Sequence, residues 1–193
     1  MRVGVFGGTF DPPHIGHLIL AQHAYEQLHL DCVLFIPAGD PWRKRSRDVT
    51  PAFHRLAMTR LATVDNSVFS VDDCEVTREG ATYTVDTLRE LNGRLGAGSE
   101  LFFILGEDAL ADLPHWRDPE GIAAEAMIAV VPREGVELPP LPFSSERLVQ
   151  VVMPYIGISS TELRIRARDG LSLRYHVPSG VEAYIHEQGL YRP

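Results

Sequence analysis

The sequence predicts an α/β fold: a single domain, residues 1–193, built on a doubly wound, mainly parallel sheet with helices on both faces. Three observations carry this prediction. Apolar runs of four or five residues at positions 3–6, 32–36, 101–105 and 127–131 alternate with longer stretches whose apolar residues recur at helical spacing. Those runs are apolar throughout and do not alternate with polar residues, as strands covered on both faces require. Glycines and prolines punctuate the junctions between segments, and no repeat or low-complexity tract interrupts the order.

The run at 3–6 is a strand too short to be a helix. Gly7 and Gly8 turn the chain, and Leu18, Ala21, Tyr25 and Leu28 then recur at helical spacing. Pro12 and Pro13 are expected in the first helical positions, where a missing N–H costs nothing. A strand, a glycine turn and a helix start in succession make an anion site, because unpaired N–H groups and the positive dipole end converge. At Gly7 and Gly8 no Cβ keeps a phosphate from the backbone. His14 and His17, three apart, would share a helix face and aim two imidazoles at the same region. Gly16 between them costs about 0.5–1 kcal/mol against alanine in a helix, which close approach of a ligand would offset. A Gly-Gly turn or one histidine is ordinary by itself; together they point to phosphate chemistry.

Residues 32–36 form the second strand, closed by Pro37. Residues 38–49 follow as a loop holding Trp42, Arg43, Lys44, Arg45 and Arg47, at the carboxyl end of a strand where open α/β sheets bind ligands. Thr50 and Pro51 open the next helix as cap and first residue, with Phe53, Leu56, Ala57 and Leu61 inward and His54 and Arg55 in solvent. A short strand at 68–71 leads into Asp72, Asp73 and Glu75, read as a solvated sheet edge. Thr82, Tyr83 and Thr84 precede a helix with Val85, Leu88, Leu91 and Leu95 inward; Thr84 suits its cap and Asp86 its dipole. Residues 101–105 are the most hydrophobic strand and should be central, with Gly106, Glu107 and Asp108 at its ligand-presenting end.

Residues 113–117 contain Trp116 and lead to a helix over 119–126. A strand at 127–131 is closed by Pro132, a proline-rich surface excursion spans 133–146, and a strand resumes at 148–153. Ser159 with Glu162 makes a capping box, so Ile158, Ser159, Ser160, Thr161 and Arg164 mark a third polar helix start whose hydroxyls and guanidinium suit an anion. Pro178 opens the last helix, with Val181, Tyr184 and Ile185 buried and Gly189 as its stop. Residues 159–193 are expected to form a helical portion packed on the sheet.

Composition narrows function. Hydrophobic residues make up 45% and charged residues 23%, the balance of a globular protein. No apolar run reaches membrane-spanning length, and the N-terminus lacks a leader pattern. Cys32 and Cys74 have no C-x-x-C spacing, which argues against a zinc site or disulfide framework; a cytoplasmic location is expected. A net charge of −8 speaks against a nucleic-acid partner but not against a polyphosphate substrate, which local cations would hold. The glycines match neither G-x-G-x-x-G nor G-x-x-x-x-G-K-[ST], so hydride transfer and P-loop hydrolysis are disfavoured.

His14, Ile15, Gly16 and His17 form an H-x-G-H sequence that resembles the signature of the nucleotidyltransferase superfamily. The longer run from Gly7 to His17 resembles that of bacterial nicotinate mononucleotide adenylyltransferases. The likeness continues through Lys44; Thr82, Tyr83 and Thr84 with Asp86, Thr87 and Leu88; Leu105, Gly106 and Asp108; Trp116; Ile158 to Thr161 with Arg164; and the tail from Pro178 to Tyr191. It departs at Pro41, Trp42, Arg43 and Lys44, where many members have Pro-His before the lysine.

The resemblance implies a Rossmann-like fold and transfer of AMP from ATP to nicotinate mononucleotide, giving deamido-NAD and pyrophosphate. His14, His17 and Arg164 would be catalytic. ATP would meet Gly7, Gly8, Thr9, Phe10, His14, His17, Gly106, Asp108, Ile158, Ser159, Ser160, Thr161 and Arg164. Nicotinate mononucleotide would meet Thr9, Lys44, Thr82, Tyr83, Thr84 and Trp116. Mg²⁺ would accompany ATP, bridged by the phosphates with no protein ligands. Partners would be these small molecules, without nucleic acid or membrane, and assembly into a homo-oligomer is left open. The competing readings are weaker. A transferase acting on pantetheine phosphate does not explain Trp116 with the Thr-Tyr-Thr segment. A non-catalytic nucleotide sensor does not need an intact H-x-G-H and Arg164. A zinc hydrolase through His14, His17 and Asp11 lacks a ligand set.

Overall fold

The computed structural model describes residues 1–39, 49–131 and 140–192, except for the side chains of Glu107 and Asp108. The chain order is β1 (Arg2–Gly8), α1 (Ile15–Gln27), β2 (Cys32–Pro37), α2 (Ala52–Thr63), β3 (Phe69–Val71), α3 (Cys74–Thr77), α4 (Thr84–Leu95) and β4 (Glu100–Leu105). It continues with α5 (Glu107–Asp112), a 3₁₀ turn (Leu113–His115), α6 (Pro119–Glu125), β5 (Met127–Val130), a second 3₁₀ turn (Ser145–Arg147), β6 (Leu148–Gln150), α7 (Ser160–Arg168) and α8 (Ser179–Glu187). Among the described residues the strands form one six-stranded sheet in the order β3-β2-β1-β4-β5-β6, every pairing parallel. This is the Rossmann-like arrangement. The strand order reverses direction between β1 and β4, the place where open α/β sheets bind ligands at the carboxyl ends of the strands.

Alternate residues of the strands feed two different cores, as a pleated ribbon requires. Val3, Val5, Leu101, Phe103, Leu105, Ile128 and Val130 pack with Val85, Leu88 and Leu91 of α4 and Ile122 of α6. Phe6, Val33, Phe35, Phe102, Ile104 and Ala129 pack on the opposite face with Leu20, Ala21 and Ala24 of α1. A third core joins Met58 and Ala62 of α2 to Leu163 of α7, Leu173, Val177, and Val181 and Ile185 of α8. The C-terminal helices are thereby fastened to α2, beside the turn that follows β1.

Several local expectations are corrected. Pro12 and Pro13 precede α1, whose N-cap is His14, and the Asp11–Pro12 peptide bond is cis. Tyr83, not Thr84, caps α4, and Pro51, not Thr50, caps α2. Pro178 is likewise the cap of α8 and not its first residue. The inward face of α2 is only partly as expected: Leu61 packs partly buried on the third core and Leu56 and Ala57 are half-buried, but Phe53 is 62% exposed, while Arg55, Met58, Thr59 and Ala62 are buried. Arg55, expected in solvent, is 1% exposed. Apolar periodicity misses this stripe because its central residue is a guanidinium that hydrogen bonds, not hydrophobicity, hold inside. The acidic stretch is no solvated edge either. Asp72 receives hydrogen bonds from Cys74 N–H and Arg94, and Glu75 is buried on α3, a turn of helix with no apolar period to announce it. The basic loop with Trp42, Arg43, Lys44, Arg45 and Arg47, and residues 133–139 of the 133–146 excursion, lie outside the described residues.

Candidate active site

The turn between β1 and α1 is built from buried groups. Phe10 is 2% exposed at a φ of 48° and sets its ring against Phe6, Phe35 and His17. A Cβ at Gly8 would lie 2.9 Å from that ring. The bare α-carbon of Gly8 thus admits Phe10 and not, on that side, a phosphate, so packing explains the glycine. At Gly16 the space is taken by the His14 imidazole, with Nδ1 3.1 Å from where a Cβ would stand, and by Ile156. The glycine in the helix serves the histidine beside it rather than a ligand.

His14 and His17 do not sit on one helix face, since His14 precedes the helix, yet their rings stack with centroids 3.6 Å apart. The backbone N–H of His14 donates to Nδ1 of His17 at 3.1 Å, which leaves the proton of a neutral His17 on Nε2. Burial lowers the His14 pKa to about 4 from the usual 6.5. Its Nδ1 is buried over the first turn of α1 with no hydrogen-bond partner, where helix N–H groups favour a lone pair over a proton. Both rings are therefore arranged as neutral donors.

Asp11 is 3% exposed and fully engaged: its carboxylate accepts from the Tyr191 hydroxyl at 2.7 Å and from the Thr50 N–H at 3.2 Å. Burial, with the Asp11 charge beside it, pushes the Tyr191 phenol well above its ordinary range. The start of α7 is tied to the same turn. Arg164 Nη1 donates to Asp11 O at 2.7 Å and Nη2 to the Thr161 hydroxyl at 3.2 Å, and the Ser160 hydroxyl donates to Pro12 O at 2.8 Å. Ser159 accepts from the Glu162 N–H as the N-cap, one of the two bonds that the expected capping box would make. The Ser160 hydroxyl and the Arg164 guanidinium thus fasten this helix to the turn. Ile158, half-buried, packs against the C-terminal core just before it.

Across the switch point, the Phe103 ring lies 3.4 Å from where a Cβ of Gly7 would stand, and its other edge meets Trp116 with centroids 6.1 Å apart. Trp116 is half-buried with its indole N–H on Asp112 at 3.2 Å. Gly106 caps α5 at the end of β4. Thr82 is 6% exposed, Tyr83 carries the Arg117 guanidinium 4.4 Å above its ring, and Thr84 begins α4. The structure brings Gly7, Gly8, Thr9, Phe10, His14, His17, Ser160, Thr161 and Arg164 together around one turn. Trp116 and Gly106 lie across the switch point, and Thr82, Tyr83 and Thr84 lie on the β2 side. Lys44 and the Asp108 side chain fall outside the described residues.

Sequence reasoning missed Arg55. Its Nη1 donates to Thr9 O, its Nη2 to Gly39 O and its Nε to Thr50 O, at 2.9, 2.9 and 2.8 Å. One buried guanidinium thus joins the glycine turn, the end of β2 and the approach to α2. Burial pulls its pKa down, while Asp11, Tyr191 and Glu75 pull it up. The only signal was positional, since Arg55 shares a helical stripe with Met58 and Ala62.

Comparison with known proteins agrees with this layout. The cytidylyltransferase-like family description matches residues 5–166. A probable nicotinate-nucleotide adenylyltransferase of Thermus thermophilus is 46% identical, with all of both chains covered. Its counterpart in Thermomicrobium roseum is 45% identical over 99% of this chain and 92% of that one. Among solved structures, the Plasmodium falciparum nicotinic acid mononucleotide adenylyltransferase complexed with NaAD superposes with a TM-score of 0.78 at 18% identity. That superposition covers 98% of this chain and 97% of the other, and it speaks for the shared fold. With a matched span that takes in the His14–His17 turn and Arg164, and with near-complete relatives of one kind, the chain belongs to the cytidylyltransferase-like family and, within it, to the nicotinate-nucleotide adenylyltransferases.

Proposed function

We propose that the chain carries out its family's reaction, the transfer of AMP from ATP to nicotinate mononucleotide, at the turn between β1 and α1. The observation that carries this assignment is the stacked, neutral His14–His17 pair beside the tethered start of α7. The attacking 5′-phosphate has a second pKa near 6 and is mostly dianionic at neutral pH, so no side chain need remove a proton. A bond forms from its oxygen to the α-phosphorus of ATP, the bond to the β-phosphate oxygen breaks, and pyrophosphate leaves with the electron pair. What the protein supplies is alignment of two repelling anions and donors where charge develops.

His17, with its proton on Nε2, suits the α-phosphate, and His14 the triphosphate. N–H groups of Gly8, Thr9 and Phe10, the 158–161 helix start and Arg164 would serve the remaining phosphate oxygens. Gly106 and Asp108 would hold a ribose. Trp116 would stack on the cationic pyridine ring, N–H groups of 82–84 would take the ring carboxylate, and Lys44 the nucleotide phosphate. Mg²⁺ would arrive with ATP. Asp11, the carboxylate of this turn, already accepts from Tyr191 and Thr50, so the cation would draw its oxygens from phosphate and water. The test is pyrophosphate release from ATP with nicotinate mononucleotide or its amide. Turnover with the acid, and its loss by at least a hundredfold in His17→Ala at unchanged melting temperature, is the expected result. Near-normal turnover in that variant refutes the assignment of His17.

A further inference from the structure

One buried carboxylate lies outside the chemistry above. Glu75, on α3, is 9% exposed and accepts the Thr87 hydroxyl at 2.8 Å, and Thr82 and the Gly39 N–H favour its charged form against the cost of burial. Thr87 lies one turn into α4, past its Tyr83 cap, so the single Glu75 side chain grips that helix start. Its backbone is equally constrained. A Cβ at Gly39 would lie 2.0 Å from the Glu75 carbonyl oxygen, so α3 rests directly on the end of β2. Gly39 O in turn accepts Arg55, whose other amino group holds Thr9 O. A chain of contacts therefore runs from Thr9 through the buried Arg55, Gly39 and the buried Glu75 to Thr87.

We propose that Glu75 is a positioning residue that sets the 82–84 backbone against the glycine turn and thereby makes the site prefer a carboxylate to an amide on the pyridine ring. The proposal rests on the reading that N–H groups of 82–84 receive that carboxylate. Backbone donors discriminate acid from amide only when their direction is fixed. A buried carboxylate bonded to the Thr87 hydroxyl, on a helix whose backbone rests against Gly39, fixes it more firmly than solvent-exposed contacts can. The Thr87 hydroxyl also accepts from Arg78 Nη1 at 3.0 Å, which orients its proton toward Glu75.

The test uses the full chain with Glu75→Gln and Thr87→Val, and calorimetric dissociation constants for nicotinate mononucleotide, its amide and ATP. Glu75→Gln is expected to lower the acid-over-amide affinity ratio at least fivefold. ATP affinity should stay within twofold, with one site per chain still titrating. Thr87→Val should move the ratio the same way by less, and it carries the test should Glu75→Gln fail to fold. A charge effect alone would act oppositely, since removing a nearby anion favours the anionic ligand. An unchanged or increased ratio in both variants overturns the proposal, as does a parallel loss of acid and amide binding. Thr84→Pro probes the underlying reading. It removes one N–H at the first position of α4, where proline fits and the preceding residue is already extended. If that change lowers the ratio while the Glu75 variants do not, only the role of Glu75 fails. If it leaves the ratio unaltered, the reading of 82–84 fails and the proposal with it.

Discussion

Replacing His14 by asparagine should flatten the acid side of the stability profile, and the size of the effect follows from burial of one ring. The folded pKa is about 4 against an ordinary 6.5, because the imidazole is 7% exposed and its charge would be poorly hydrated. A base whose pKa is lowered by folding binds fewer protons folded than unfolded, so stability rises with pH across that window. The contribution is complete above the unfolded value and is lost as pH falls toward the folded one. At about 1.4 kcal/mol per pK unit, the full loss is roughly 3 kcal/mol, of which about 2 kcal/mol is gone by pH 5. Urea unfolding of wild type and His14→Asn at pH 7, 6, 5 and 4.5 isolates the term, because other titrating groups cancel in the difference. The two curves should converge on acidification by about 2 kcal/mol. If they remain parallel within about 0.5 kcal/mol, His14 is not held neutral by burial, and its role as a neutral donor to phosphate falls too.

Trp116→Ala should weaken nicotinate mononucleotide by roughly 3- to 30-fold, the factor that a cation–π contact of about 0.5–2 kcal/mol represents, with much less effect on ATP. Equal weakening of both ligands by calorimetry would count against stacking. Tyr191→Phe removes a 2.7 Å donor from the buried Asp11 carboxylate and should cost about 1–3 kcal/mol in urea unfolding. A loss below about 0.5 kcal/mol would mean that water or another group satisfies Asp11 instead.

Which parts of the molecule were legible depended on which force shaped them. Strands β1, β2, β4 and β5 were readable from apolar runs, because burial on two faces leaves no room for polar residues. The N-cap at Ser159 was readable because its bond to the Glu162 N–H is local in sequence. Arg55, Glu75 and Asp11 were not. The sequence reading sends Arg55 and Glu75 to solvent and gives Asp11 no structural part, and each is buried because its partners come from distant segments: Thr9 and Gly39 for Arg55, Thr87 for Glu75, Tyr191 for Asp11. The small α3 was invisible for a related reason, having no apolar face of its own.

By itself the sequence determined the layer order, the glycine turn and its pair of histidines, since these follow from patterns within a few residues of one another. Tertiary structure alone decided how those parts are held. It placed Phe10 over Gly8, stacked His14 on His17, and set the buried Arg55 among the carbonyls of Thr9, Gly39 and Thr50. The physical reason is that a buried charge survives only where donors or acceptors from several segments converge on it, and that convergence exists only once the chain has folded.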